Sequence, residues 1–327
     1  MTGRVARAAG TRKPYRRCIE PMLRSRHLKP TGARPSSRDI FYATRLDELY
    51  DRARRYFSSQ PRPFLRWAGS KRALLPHMVD VVPHRFGTYF EPFLGSAALF
   101  FALQPYRSVL NDACSDLIAT FDAVCSNVDR VVGYLRPLRP SRAVFYRLRR
   151  MRSRGRFKRA AHFIYLNKTC WNGLYRVNSR GEFNVPYGLP KTSFIADLDN
   201  LRACANLLRG SHATLLCGDF EAAVSSAGRR DLVYLDPPYV TRHNNNGFVD
   251  YNETLFSWHD QERLARTALR LARKGAYVLV TNAYHKDILR MYPGFSWRPL
   301  YRTSTLASDT DSRGPVTEVL LYSRRGA

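Results

Sequence analysis

Short apolar runs alternating with helix-length segments predict an α/β fold, a doubly wound and mostly parallel sheet. Two further observations support that class. A glycine turn, Glu91-Pro92-Phe93-Leu94-Gly95, joins the first run to a small-residue-rich helix. Four of the five predicted strands end in an acid or an amide, and in such a sheet those ends form one ligand-binding edge.

Thr88-Tyr89-Phe90 reads as the first strand, and Ser96 to Leu103 as the helix behind the glycine turn. Ser108-Val109-Leu110 is the second strand, ending at Asn111-Asp112. Thr214 to Cys217 ends at Gly218-Asp219-Phe220, Leu232 to Leu235 at Asp236, and Ala276 to Val280 at Thr281-Asn282. The helix after Ser257 opens on a capping-box-like Ser257-Trp258-His259-Asp260. Tyr301-Arg302 and Glu318 to Tyr322 read as two strands flanking a polar loop. Upstream, residues 39–58 read as helical, with Phe41, Leu46, Leu49 and Tyr56 as packing positions, and the ordered core begins near Pro61.

Charge is distributed unevenly along this frame. The 327 residues carry 54 Lys and Arg against 26 Asp and Glu, a formal net charge of +28, which points to a polyanionic partner, nucleic acid before anionic membrane. Residues 1–38 hold eleven Lys or Arg and one acid, Glu20, so residues 1–60 read as a basic, largely disordered extension. Residues 127–205 break the strand–helix rhythm. Within them, 130–180 contain fifteen Lys or Arg, no acid, and interleaved aromatics. The stretch is either an inserted, mostly helical domain lying against phosphates or a solvated basic face. The catalytic core is then 61–126 plus 206–327. Six cysteines without a CxxC pair, and eight histidines that complete no ligand cluster, point to reduced core thiols and no metal. No apolar run has the length of a membrane span, and the amino terminus lacks a signal-peptide h-region.

Three motifs carry chemistry. In Asp236-Pro237-Pro238-Tyr239 the prolines force the chain out of the sheet. A carboxylate, free carbonyls and a π-face are left at the strand end, a fit for a nucleobase with an exocyclic amine; the alternative is an ordinary Pro-Pro turn. Arg66-Trp67-Ala68-Gly69-Ser70-Lys71 offers a turn, an ammonium and a flat ring, but not P-loop spacing. Asp112, seventeen residues beyond Gly95, suits a ribose diol, or else a helix N-cap.

In order, these motifs resemble the Dam-type, or D12-class, DNA adenine-N6 methyltransferases over residues 63–322. Trp67 to Lys71 matches the family's Trp-x-Gly-Gly-Lys with Ser70 at the second glycine. Glu91 to Ala97 matches Glu-Pro-Phe-x-Gly-x-Gly with Ala97 at the second glycine. Asn111-Asp112, Gly218-Asp219-Phe220 and Asp236 to Tyr239 match later elements. The longest match runs from Phe163 through Asn167, Trp171-Asn172-Gly173-Leu174-Tyr175-Arg176-Val177-Asn178-Ser179-Arg180 to Asn184-Val185-Pro186.

The resemblance implies a Rossmann-like S-adenosylmethionine-dependent sheet with an inserted, mostly helical DNA-recognition domain. It implies cofactor contacts from Trp67, Lys71, Asp112 and Asp236, with Glu91 and Phe93 at the methionine end and Asp219 and Phe220 near the adenine. Asp236, Pro237 and Tyr239 would act on an adenine flipped from double-stranded DNA. Arg66, Asn167, Trp171, Asn172, Arg176, Asn178 and Arg180 would contact DNA, with Arg302 and Arg313 as further candidates. The family also implies a monomer working at the nucleoid in the cytoplasm, alone or beside a cognate restriction nuclease. Two rivals stay open: an RNA or protein aminomethyltransferase sharing the tetrapeptide, and a non-catalytic DNA-binding protein on a decayed scaffold.

Overall fold

A computed structural model describes residues 61–78, 80–190, 194–239, 256–303 and 315–323, the side chains of 301–303 and 315–317 excepted. The basic extension, with the helix expected at 39–58, the Arg302 side chain and Arg313 lie outside the described residues.

The strands are β1 (Tyr89–Glu91), β2 (Ser108–Asp112), β3 (Thr214–Cys217), β4 (Leu232–Leu235), β5 (Tyr277–Ala283), β6 (Ser296–Thr303) and β7 (Pro315–Tyr322). They form one sheet in the order β3-β2-β1-β4-β5-β7-β6. The first five are parallel, and β7 enters antiparallel between β5 and β6. All five strands expected of the parallel sheet form, within a few residues of their expected bounds. The strand order reverses between β1 and β4, so a crevice opens beyond their carboxyl ends.

β4 shows why the sequence reads as a continuous apolar run. Leu232 and Tyr234 enter one core, Val233 and Leu235 the other, so the strand is buried on both faces and does not alternate. The second core is closed by Leu264, Ala268 and Leu271 of a helix at Trp258–Arg273. Its start carries the expected capping box: Ser257 accepts from the Asp260 backbone N–H, and Asp260 accepts from the Ser257 N–H.

The helices, in chain order, are α1 (Ala98–Leu103), α2 (Ser115–Leu135), α3 (Arg142–Arg150), α4 (Arg156–Thr169), α5 (Leu198–Gly210), α6 (Phe220–Ala223), α7 (Trp258–Arg273) and α8 (Lys286–Arg290). The boundaries expected at 127 and 205 meet them differently. Residue 127 falls on a break in α2, where Asn127 leaves helical φ/ψ and its side chain accepts from the Arg130 N–H, acting as an N-cap for the second half. Residue 205 falls inside α5. Phe145, Leu148, Ile164 and Tyr165 of α3 and α4 share one core with Tyr89, Leu110 and Phe121, so this face of the sheet is covered by helices from both sides of the break.

The chain enters the core as an extended strap, and two asparagines hold it. Asn200 on α5 accepts from the Arg62 N–H and donates to the Arg62 carbonyl, both at 2.8 Å. Asn167 on α4 does the same for Arg66, at 2.8 and 2.7 Å. Each primary amide supplies one donor and one acceptor, the pair that a neighbouring strand would supply. Asn167 is 2% exposed. The expectation that it contacts DNA is therefore corrected: its amide is consumed by the strap.

Removing one clamp leaves a backbone donor and acceptor short of partners in a partly buried site. Asn167→Ala should lower stability by about 1–3 kcal/mol, read as a lower urea midpoint at constant slope. An unchanged midpoint would remove the clamp from the account.

Candidate active site

Because β1 and β4 are neighbours at the crevice, their ends bring Glu91 and Asp236 to one place. Asp236 is the centre of a dense polar cluster. Its Oδ1 accepts from Thr281 Oγ1 at 2.7 Å and lies 2.9 Å from Lys71 Nζ. The Thr281 proton is thereby committed, so Tyr234 Oη, 3.1 Å away, donates to Thr281. Lys71 Nζ also donates to the Gly69 carbonyl at 2.6 Å and sits 3.8 Å from Glu318 Oε2. The same ammonium lies 4.8 Å from the centre of the Tyr239 ring, and Tyr239 Oη donates to Glu318 Oε2 at 2.7 Å. The Pro238 carbonyl accepts from Gln261, whose own carbonyl takes Asn282. This chain of bonds fixes the turn that carries the tetrapeptide.

Burial dominates the electrostatics. It pushes the Asp236 carboxyl above its ordinary range, against the pull of Lys71. It pushes Glu91 well above that range, against the hydrogen bond from Tyr89 Oη at 3.0 Å. Glu91, expected at the methionine end, is 2% exposed at the end of β1, within electrostatic reach of Asp236 and Asp112. Removing several charges from water costs kcal/mol per ion. Apolar residues would pack this strand end at less cost, so the arrangement is one that fold stability alone does not require.

A second cluster forms the neighbouring wall. Phe93 stacks on Phe220 with centroids 5.4 Å apart, and Phe256 meets Phe93 edge-on. Phe93 and Phe220, expected at opposite ends of a bound cofactor, therefore belong to one apolar surface. Asp112 Oδ2 accepts from the Gly95 N–H and Oδ1 from the Cys114 N–H, both at 3.0 Å. Its carboxylate thus ties the glycine turn to the end of β2 and also caps the turn into α2. Asn111 donates to the Pro92 and Gly218 carbonyls, joining the loops after β1 and β3. Asp219 caps α6 and pairs with Arg263, which lies over the Phe220 ring.

The glycine turn explains its own sequence. Gly95 has φ +48, and a Cβ there would lie 2.9 Å from Trp67 Cδ1. Ala97, at the second glycine of the resembled pattern, has φ 57 and is fully buried, a left-handed conformation costing a non-glycine residue roughly 1–2 kcal/mol. Ser70, at the other departure, bonds Ser96 Oγ at 2.9 Å. It links the strap's turn to the glycine turn.

The expected DNA residues occupy a surface beyond Trp67. Trp67 stacks on Tyr175 (5.5 Å, 17°), and Tyr175 Oη donates to Asp116. Trp171 opens a single 3-10 turn, Trp171–Gly173, in which Asn172 takes φ 51. Gly173 is required there, because a Cβ would fall 2.4 Å from Arg66 Cβ. Arg66, Asn172, Arg176 and Arg180 are exposed, and Arg176 Nε donates to Asn184. Asn178 forms a turn on this surface: its Oδ1 accepts from the Arg180 and Glu182 N–H groups and its amide donates to Glu182.

Comparison with known proteins gives the family. The family model described as D12 class N6 adenine-specific DNA methyltransferase matches residues 67–305. The chain belongs to the D12 class. It is 35% identical over 268 residues to the Type II methyltransferase M1.LlaDCHI of Lactococcus lactis subsp. cremoris, covering 80% of this chain and 94% of the relative. It is 32% identical to the DNA adenine methylases of Haemophilus influenzae (79% and 92% covered) and of Escherichia coli K12 (81% and 96%). As a D12-class enzyme it methylates adenine in DNA. Among the described residues no helix is long and apolar enough to cross a membrane.

For this D12-class enzyme, sequence reasoning missed Thr281, Tyr175 and Glu318 as site residues. Glu318 had a signal: a lone acid heading the apolar run Val319-Leu320-Leu321. Glu91 supplies a test of the electrostatics. Between its unfolded pKa of about 4.5 and its raised folded value, the native chain binds a proton that the unfolded chain has released. Stability then falls as pH rises through that window, by up to about 1.4 kcal/mol per unit. Glu91→Gln should flatten the urea midpoint against pH and gain on the parent as pH rises. Parallel curves would exclude the linkage.

Proposed function

We propose that this chain transfers a methyl group from S-adenosylmethionine to N6 of an adenine flipped out of a specific double-stranded DNA site. The observation that carries the reading is the placement of Lys71 Nζ, bonded to Asp236 Oδ1 and lying on the Tyr239 ring. The site already holds an N–H donor between a carboxylate and an aromatic face. An adenine amine requires the same two partners.

The residues present fit the donor. The Asp236 carboxylate stands at the end of β4 beside Lys71, where opposite charge favours a cationic donor. Phe93 and Phe220 offer an apolar wall, with Asp219 at its rim, and Asp112 stands at the end of β2. Trp67, Lys71, Asp112, Asp236, Phe93, Asp219 and Phe220 would hold it, with Glu91 at the end of β1. S-adenosylmethionine supplies an electrophilic methyl on a sulfonium.

Asp236 and the Pro237 carbonyl accept one hydrogen bond each from the two N6–H groups. Those bonds draw the nitrogen toward sp3 geometry and free its lone pair for attack. The methyl donor would leave as a neutral thioether, and the methylated amine would release one of its protons to water. Tyr239 stacks on the extruded base and offsets part of the few kcal/mol that unstacking costs. Positioning and electrostatics carry the step. On the DNA side, residues 127–205 form the recognition region. Trp171 fills the gap left by the base, while Arg66, Asn172, Arg176 and Arg180 meet phosphates or base edges. Asn167 and Asn178 support them from within.

Expression in a methylation-deficient host should place N6-methyladenine at one sequence, located by single-molecule sequencing. Asp236→Ala should lower the rate by at least about 100-fold. Wild-type protein that binds donor and DNA yet leaves every adenine unmodified would sink the proposal. Because burial raises the Asp236 pKa, and the ionised carboxylate is the stronger acceptor for N6–H, activity should fall with acidification at a pH above the ordinary aspartate range. A rate profile flat down to about pH 4 would contradict that role.

A further inference from the structure

Glu318 is a fully buried acid on β7, and nothing in the reaction as described uses it. Its neighbours Val319, Leu320 and Leu321 are equally buried, so an apolar residue would suit the strand better than a charge, which costs several kcal/mol to bury. What it does hold is specific. Its Oε2 takes the Tyr239 hydroxyl at 2.7 Å across 79 positions of sequence, while the Asp236 carboxylate lies 3.5 Å from that hydroxyl. The Tyr239 backbone follows two prolines, and the Pro238 carbonyl is fixed by Gln261. The near end of the side chain is therefore set by the turn. The free variables are its two side-chain torsions, and a hydrogen bond at the far end of the ring removes both. The register agrees: Glu318 stands opposite Ala283 at the end of β5, beside the crevice, where the antiparallel strand passes the tetrapeptide.

We infer that Glu318 is a positioning residue: through the Tyr239 hydroxyl it fixes the ring plane on which the target base stacks, without touching base or donor. This rests on the reading of Tyr239 as the stacking platform. It gives β7 a task beyond pairing β5 with β6, since the strand carries the acid that orients an aromatic side chain on the turn after β4.

The test uses the full-length protein and a duplex carrying the site located by sequencing, with 2-aminopurine at the target position. Its fluorescence rises when the base leaves the stack. Glu318→Ala and Tyr239→Phe should each cut that rise and lower kcat/KM by about tenfold, the size of one good hydrogen bond. Affinity for S-adenosylmethionine should stay within twofold of wild type. The double variant should be no worse than either single one, because both remove the same bond. Glu318→Gln, which retains an acceptor oxygen, should restore most of the signal. Effects that add in full, or a Glu318→Gln variant as impaired as Glu318→Ala, would overturn the inference.

Should Glu318→Ala not fold, Tyr239→Phe and Glu318→Gln decide it: a full fluorescence rise with Tyr239→Phe is fatal. Tyr239→Ala separates the two levels. If it too keeps the full rise, the stacking role itself fails. If it loses the rise while Tyr239→Phe and Glu318→Ala keep it, only the role of Glu318 fails.

Discussion

One ammonium group organises the crevice. Lys71 Nζ is the cation shared by Asp236 and Glu318, it caps the face of Tyr239, and it folds back onto the Gly69 carbonyl. These groups come from the strap, the tetrapeptide and β7, segments far apart in sequence. The fold and the chemistry meet at this point. The sheet order brings both acids to one edge, with β5 between their strands, and the strap delivers a cation within reach of each.

The strap is consequently a structural part of the site. Its course is set by amide pairs from α4 and α5, by Ser70 on Ser96, and by Trp67 lying over Gly95. Each is a contact between the entry segment and something that folds later in the chain. Lys71 lies at the end of this series, and its position inherits the accuracy of every contact before it.

Much of this was legible in the residues. The parallel strands, their polar ends and the capping box at Ser257 follow from local pattern. Asp236, Lys71 and Asp112 stand out because acids and lysines at strand ends and glycine turns have few other uses. What escaped was long range. That Asn167 serves the backbone of Arg66, 101 positions away, cannot be read from a motif in which asparagine also suits adenine. Asn178 is hidden for the same reason, since a side chain able to read a base edge can equally close a turn. The stacking of Phe93 on Phe220 depends on β1 and β3 being separated only by β2, a fact of topology. Ala97 shows the reverse case. The sequence marks it as a departure from glycine, but only the left-handed backbone says what the departure costs.

The paired asparagine clamps carry a consequence for how such a protein can change over time. A helix that merely lay on the DNA could be exchanged for another with a different sequence preference and leave catalysis untouched. Here α4, in the segment proposed to read DNA, also grips the strap that carries Lys71. A replacement helix would have to bring its own asparagine at the depth and angle of Asn167. New target preferences are therefore more accessible through the exposed turn from Trp171 to Arg180 than through exchange of the helices beneath it. Diversification by point substitution, rather than by swapping of modules, is the route this architecture leaves open.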